Sequence, residues 1–208
     1  MPMPETLSLF ATHVTKSALV HKNGEALRAE LLSACQELEA QDGAGRAWCR
    51  ANGYMGYTSY ASLADLPQRF PAFDALRRAL DAHVKGFAEL VAFDLGGGKL
   101  KLDSLWVNVL PRGGIHTGHI HPHSVVSGTY YVSVPDGASA LKLEDPRLPQ
   151  MMATPPRRSD AGLAHQTFVS LQPQEGEVIL WESWLRHEVV MNTSTAKRVS
   201  ISFNYAWV

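Results

Sequence analysis

Short β-rich runs separated by turn sequences fill the second half of the chain, and they constrain its fold more than any other feature. Seven such runs follow residue 99, and they are KLDSLWVNVL, SVVSGTYYVSV, ALKLE, HQTFVSLQ, EVILWESWL, HEVVMN and RVSISFNYAWV. The segments between them carry turn signals such as PRGG at 111, PDG at 135 and PQEG at 173. Short strands at this spacing are typical of an antiparallel sandwich or a closed jelly roll.

The first hundred residues have a mostly helical pattern. A strand-like stretch at 7–20 precedes a helical pattern that opens at Asn23 or Gly24 and ends at 42–45. A second helix is predicted to begin at Pro71, where the missing N–H is harmless. Residues 48–60, WCRANGYMGYTSY, follow neither the helical nor the strand period. They are predicted to form an ordered loop that either covers a site or packs against the rest of the fold.

The expected fold is therefore mainly β with N-terminal helices. We expect 208 residues to form a single domain, with a helical flanking region and short N-terminal strand at 1–100. Residues 101–208 are expected to form a double-stranded β-helix (jelly-roll) core, flanked by two or three helices.

Composition limits the classes of partner. The formal net charge is −1, with 19 Lys+Arg against 20 Asp+Glu, which argues against a nucleic-acid surface. No apolar run approaches the roughly 18 residues that a membrane span needs, and the N-terminus lacks a signal-peptide pattern. Two cysteines, Cys35 and Cys49, are too few for a disulfide framework, so we expect a cytoplasmic protein. A monomer and a homodimer both stay open.

Four of the nine histidines lie between residues 116 and 123, and imidazole is the commonest protein ligand for transition metals. In an extended backbone His119 and His121 share one face and can converge on one ion. The candidate third ligand is His187, which lies in the apolar run WESWLRHEVV. His116 and His165 have glycine or polar neighbours and are expected to be exposed, and His123 lies beside a predicted turn.

The last strand alternates between polar and apolar residues. Arg198, Ser200, Ser202 and Asn204 share one face, and Val199, Ile201, Phe203 and Tyr205 share the other. The polar face either meets solvent or lines a cavity, where Arg198 could bind a carboxylate through two of its guanidinium nitrogens and Ser200 could add a hydroxyl.

The His-x-His-Pro, SGTYYV and RVSISFN segments resemble those of the 2-oxoglutarate- and iron(II)-dependent oxygenases, over roughly residues 104–208. The resemblance implies oxidative decarboxylation of 2-oxoglutarate coupled to hydroxylation of a substrate that the sequence does not identify, either a small molecule or a peptide. It implies that His119 and His187 bind catalytic iron(II) and that Arg198 with Ser200 holds the 2-oxoglutarate. Tyr131 would reach the same carboxylate, with Ser127 on the same face.

One position departs from the family. His121 stands where the family usually has Asp or Glu, since the common facial triad is two histidines and one carboxylate. We favour a three-histidine centre of His119, His121 and His187. The alternative is a carboxylate from Glu144 or Asp145, and the sequence does not settle whether the metal is iron.

Two other interpretations compete. Gly113, followed after five residues by His119-x-His121, matches the opening of a cupin motif, although Val125 and Val126 stand where a cupin glutamate is expected. The second interpretation is a non-catalytic jelly roll that binds a ligand. An arginine in the cavity argues against it, because a buried charge is costly without an anionic partner.

Overall fold

The helices lie in the first half of the chain. The computed structural model describes residues 3–208, in which the α-helices are α1 (Gly24–Gln41), α2 (Gly43–Ala51), α3 (Leu66–Arg69) and α4 (Pro71–Leu90). Helix α1 buries Leu27, Leu31, Cys35 and Leu38, whose spacing of four, four and three places them on one face. Helix α4 begins at Pro71, as the sequence predicts. None of the helices within residues 3–208 is long and apolar enough to cross a bilayer.

Helix α2 corrects the prediction of a loop over residues 48–60. The Asp42 side chain accepts a hydrogen bond from the Gly45 N–H at 2.9 Å, so it caps a new helix directly after α1 ends. The same carboxylate accepts hydrogen bonds from the hydroxyls of Ser62 at 2.5 Å and Tyr57 at 2.9 Å. The loop prediction was wrong for residues 48–51, because the spacing of apolar residues in this segment reveals neither the cap nor these tertiary contacts.

The strands form two antiparallel sheets. In the described part of the chain they are β1 (Val14–Ala18), β2 (Tyr57–Thr58), β3 (Leu100–Leu110), β4 (His116–His119), β5 (Val126–Ser133), β6 (Leu141–Glu144), β7 (Phe168–Leu171), β8 (Glu177–Glu182), β9 (His187–Val189) and β10 (Arg198–Trp207). The larger sheet has the order β1-β8-β5-β10-β3-β2, and the smaller has the order β4-β9-β6-β7. The neighbouring strands pair far across the sequence, as in a double-stranded β-helix, and the predicted fold class is confirmed.

Two apolar layers hold the helices and sheets together. The outer layer packs α1 and α4 against the larger sheet, and strand β10 contributes Val199, Ile201, Phe203 and Tyr205 to it. The inner layer lies between the sheets and contains Tyr131, Leu141, Leu143, Ile179, Trp181 and Leu185. Each large apolar side chain buried in this way contributes about 1.5–3 kcal/mol to folding. The polar face of β10 is therefore turned inward, toward the space between the sheets.

Candidate metal centre

A cavity opens between the two sheets, with about 440 Å³ of empty space including its mouth. The residues that line it are Trp106, Asn108, Leu110, His116, His119, His121, Gly128, Thr129, Tyr131, Leu141, Trp181, His187, Val189, Arg198, Ser200 and Ser202. The polar face of β10 thus lines a cavity and does not meet solvent.

Three of the predicted residues converge at one end of this cavity. His119 on β4 lies directly opposite His187 on β9 in the strand register. Strand β4 ends at His119, so His121 reaches the site from the following turn, where its backbone N–H donates to the Ser183 carbonyl at 3.0 Å. The candidate ligand atoms of the three imidazoles lie within 4.8 Å of one another.

Backbone carbonyls orient two of these imidazoles. The Nδ1 atom of His119 lies 2.7 Å from the Thr117 carbonyl oxygen, and that of His187 lies 2.8 Å from the Leu185 carbonyl oxygen. A carbonyl can only accept, so each Nδ1 carries the proton and each Nε2 keeps a free lone pair. This tautomer is the one that a metal requires of a histidine bound through Nε2.

The spacing of the rings also fits one ion. The Nε2 atoms of His121 and His187 are 3.2 Å apart. Two nitrogens that each lie about 2.1 Å from one metal, at a right angle, are separated by about 3.0 Å. The donor set therefore fits a transition metal held by three imidazoles.

Burial keeps these histidines neutral. Desolvation, together with the charges of the neighbouring histidines, lowers the pKa of His187 to about 3 and that of His121 to about 4. Burial also lowers the pKa of His119, although its bond to the Thr117 carbonyl opposes the change. Neutral imidazole is the form that binds metal, so all three side chains are ready to do so near pH 7.

The alternative carboxylates lie elsewhere. Glu144 accepts a hydrogen bond from Arg186 at 3.2 Å, and Asp145 pairs with Arg147 at 2.8 Å. Neither residue lines the cavity, whose lining contains no carboxylate among residues 3–208. The geometry therefore gives no support to a carboxylate ligand from this segment.

A buried cation lies farther along the cavity wall. Arg198 is 2% exposed, and its Nη1 donates to the Ser200 hydroxyl at 3.1 Å. Its guanidinium carbon lies 5.0 Å from the centre of the Tyr131 ring. Within the described chain no carboxylate forms an ion pair with Arg198, and burial lowers its pKa. An uncompensated charge at such a site is costly, which favours an anionic ligand here.

Several other polar atoms of this wall also lack a protein partner. They are the Arg198 Nε, the Tyr131 hydroxyl, the Trp181 Nε1 and the Asn108 Oδ1. Buried polar groups are normally hydrogen-bonded, and unpaired groups concentrated along one cavity are typical of a binding site. Three of these four atoms are donors, which again suits an anion.

Ser127 is separated from this group. Its hydroxyl is within hydrogen-bond distance of the Ser183 hydroxyl and the Asn204 Oδ1, both at 2.8 Å, and it does not line the cavity. Thr129, two residues farther on the same face of β5, lines the cavity instead. Thr129 and Asn108 were not among the predicted site residues, although alternation along β5 and β3 is a signal that identifies both.

His116 corrects another expectation. It was expected to be exposed, but it is half-buried, lines the cavity and stacks on His119 with 4.5 Å between ring centres. The prediction was wrong because a register irregularity between His116 and His119 turns both side chains to the same side of β4. His123 and His165 are exposed, as expected of His165 from its neighbours.

Comparison with known proteins identifies relatives of this arrangement. Residues 104–204 match the family model described as "Putative 2OG-Fe(II) oxygenase". No curated protein matches the chain. The matching region contains the three histidines, Tyr131 and Arg198.

Solved structures share the fold at low sequence identity. AviO1 from Streptomyces viridochromogenes Tue57 has a TM-score of 0.63 and 14% identity, over 94% of this chain and 90% of AviO1. A prolyl-4-hydroxylase from Pseudomonas putida has a TM-score of 0.59 and 16% identity, over 95% of this chain and 90% of the hydroxylase. The epimerase SnoN, in complex with Fe³⁺, alpha ketoglutarate and nogalamycin RO, has a TM-score of 0.60 and 16% identity, over 94% of this chain and 79% of SnoN.

Proposed function

Because residues 104–204 belong to the 2-oxoglutarate- and iron(II)-dependent oxygenases, we propose that this chain couples oxidative decarboxylation of 2-oxoglutarate to hydroxylation of a substrate. The observation that carries the proposal is a single cavity with a cluster of three neutral imidazoles and a buried, unpaired arginine. The first feature suits a metal, and the second suits a carboxylate. A ligand with a metal-binding group at one end and a carboxylate at the other would satisfy both.

His119, His121 and His187 would hold the iron. When bound, Fe(II) supplies the redox chemistry by which oxygen is activated. The protein's own contribution is to orient two of the rings through the Thr117 and Leu185 carbonyls and to keep them neutral by burial. Three neutral ligands leave the full charge of the metal in place, which favours a dianionic cosubstrate.

Arg198, Ser200 and Tyr131 would bind the far carboxylate of 2-oxoglutarate. The guanidinium and the phenol each have a buried donor without a protein partner, and Ser200 already orients the arginine. Charge-assisted hydrogen bonds of this kind are about twice as strong as neutral ones. In this proposal Ser127 does not contact the carboxylate. It supports the cavity wall from outside, through its hydrogen bonds to Ser183 and Asn204.

The substrate and cellular setting are also proposals. The similar structures include enzymes named for prolyl hydroxylation and for epimerisation with nogalamycin RO, so a peptide and a small molecule are both candidate substrates. We place the enzyme in the cytoplasm, where its buried free thiols, Cys35 and Cys49, would stay reduced. The core shared by the helices and the larger sheet supports one domain, with residues 1–100 flanking the jelly roll at 101–208. A homodimer is the assembly to test beside the monomer.

Anaerobic titration of 2-oxoglutarate into the Fe(II) protein tests the function. A visible charge-transfer band should appear and saturate with the ligand, because the keto acid binds the metal directly. Aerobic turnover should then convert 2-oxoglutarate to succinate. A cupin dioxygenase would give no such band, and a non-catalytic binding module would consume no 2-oxoglutarate, so either result would overturn the proposal.

A further inference from the structure

The loop between α2 and β2 lies beside the end of β3 that pairs with Arg198. Arg198 is paired with Leu110 in the register of β10 and β3, and β2 continues this sheet beside Val109. A Cβ atom on Gly56, where φ is +121°, would lie 2.4 Å from the Val109 carbonyl oxygen. One on Gly114 would lie 3.1 Å from the Met55 carbonyl oxygen. The backbone of this loop therefore packs directly against the turn that follows β3.

Tyr54 extends from this loop toward the cavity wall. Its ring meets the edge of the His116 ring, with 5.8 Å between centres and an interplanar angle of 80°. His116 in turn lines the cavity. The charge of Arg198 acts on the pKa of Tyr54, opposing the increase caused by burial, and it also lowers the pKa of His116. The phenol therefore lies within electrostatic reach of the Arg198 guanidinium.

The Tyr54 hydroxyl is buried and has no hydrogen-bond partner. Two other buried phenols are paired, since Tyr57 donates to Asp42 at 2.9 Å and Tyr205 donates to Asp81 at 2.7 Å. Among residues 3–208 only two tyrosine hydroxyls, those of Tyr54 and Tyr131, are buried without a partner. The Tyr131 ring lies beside Arg198, and Tyr54 packs on His116, which lines the same cavity.

We propose that the Tyr54 hydroxyl is a further cosubstrate-binding group, which donates a hydrogen bond to the far carboxylate of 2-oxoglutarate. The helical half of the chain then contributes to selection of a dicarboxylate over a 2-oxo acid with one carboxylate. Burial keeps the phenol protonated, so it donates and does not repel the anion. A residue present only for packing would gain nothing from this hydroxyl, because an unpaired buried hydroxyl destabilises the fold. The inference rests on the proposed function.

The test compares two 2-oxo acids in two tyrosine variants. Tyr54→Phe removes only the hydroxyl, and Tyr60→Phe is the matched control, since Tyr60 is 61% exposed. Calorimetric titration of the Mn(II)-loaded proteins gives affinities without turnover. Tyr54→Phe should bind 2-oxoglutarate about tenfold more weakly, as expected for the loss of one hydrogen bond to a charged group. Its affinity for pyruvate, which lacks the far carboxylate, should not change.

Thermal unfolding of the metal-free proteins gives a second readout. Tyr54→Phe should unfold at the same temperature as the parent or higher, because it removes an unpaired buried group. Equal 2-oxoglutarate affinity in parent and Tyr54→Phe would overturn the inference, as would equal weakening for both acids. If Arg198→Ala weakens binding while Tyr54→Phe does not, only this inference fails. If the parent does not bind 2-oxoglutarate, the proposed function fails with it.

Discussion

The Nε2 atoms of His121 and His187 lie 3.2 Å apart, although 66 residues separate the two histidines in the chain. The His187 Nδ1–H donates a hydrogen bond to the Leu185 carbonyl oxygen, so the facing His187 Nε2 is an acceptor. A metal bound between the two nitrogens would replace whatever proton they share. Their separation is the distance on which the proposed metal site depends.

Loss of one imidazole should therefore abolish tight metal binding. We expect His187→Ala to lower Fe(II) affinity by at least about 100-fold, since even groups that only orient a ligand contribute 10–100-fold. Competition with a coloured chelator under anaerobic conditions measures the change. His123→Ala is the control, because His123 is exposed and should leave the affinity unchanged. Equal affinities in the two variants would contradict the three-histidine assignment.

Removal of the alternative carboxylates should leave the affinity for the metal unchanged. Glu144→Gln and Asp145→Asn each retain shape, and both side chains are engaged by arginines outside the cavity. We expect Fe(II) affinity within about twofold of the parent for each, using the same competition assay. A tenfold loss in either variant would restore that residue as a ligand and remove the case for His121.

Arg198→Ala should weaken 2-oxoglutarate binding by about 30-fold or more, since a desolvated charge pair is worth about 2–5 kcal/mol when one partner is removed. Arg158→Ala is a suitable control because Arg158 lies on an exposed loop, paired with Asp160. Titration of the visible band in the anaerobic Fe(II) proteins measures both. An unchanged affinity in Arg198→Ala would show that the cosubstrate pocket is wrongly assigned.

The Asp42 carboxylate should stabilise the N-terminal half. It caps α2 and also accepts from Tyr57 and Ser62, so Asp42→Ala should lower the free energy of unfolding by about 1–3 kcal/mol. Urea unfolding at pH 7 measures the loss. Asp160→Ala is the control, since Asp160 lies on an exposed loop, and it should unfold within about 0.5 kcal/mol of the parent.

The same site should make stability depend on pH. Burial alone would raise the pKa of Asp42, but the hydrogen bonds from Gly45, Ser62 and Tyr57 lower it overall. The ionised Asp42 carboxylate therefore contributes its full stabilisation above the pKa of the unfolded state, about 3.9. This stabilisation is lost as the pH falls through the lower pKa of the folded state. The difference in unfolding free energy between parent and Asp42→Ala should therefore shrink below about pH 4. A difference that stays constant down to pH 2 would contradict this account.

The sequence by itself determined which residues share a face. A strand has a period of two, so alternation in β10 separates Arg198 and Ser200 from Val199 and Ile201 without any tertiary information. Strand alternation, together with the turn residues, predicted the jelly roll, and the helical spacing of apolar residues predicted the helices before it. It also identified His119, His121 and His187 as a group, because an imidazole in an apolar run needs a partner.

Only the tertiary structure decided where those faces point. Periodicity does not distinguish solvent from a cavity, and the polar face of β10 lines a cavity only because the smaller sheet lies across from it. The irregular register of β4 turns His116 inward, and long-range bonds to Ser183 and Asn204 keep Ser127 out of the lining. Tyr54 meets the edge of the His116 ring through packing of a loop from the helical half of the chain. These placements depend on contacts between distant segments, which local sequence patterns do not encode.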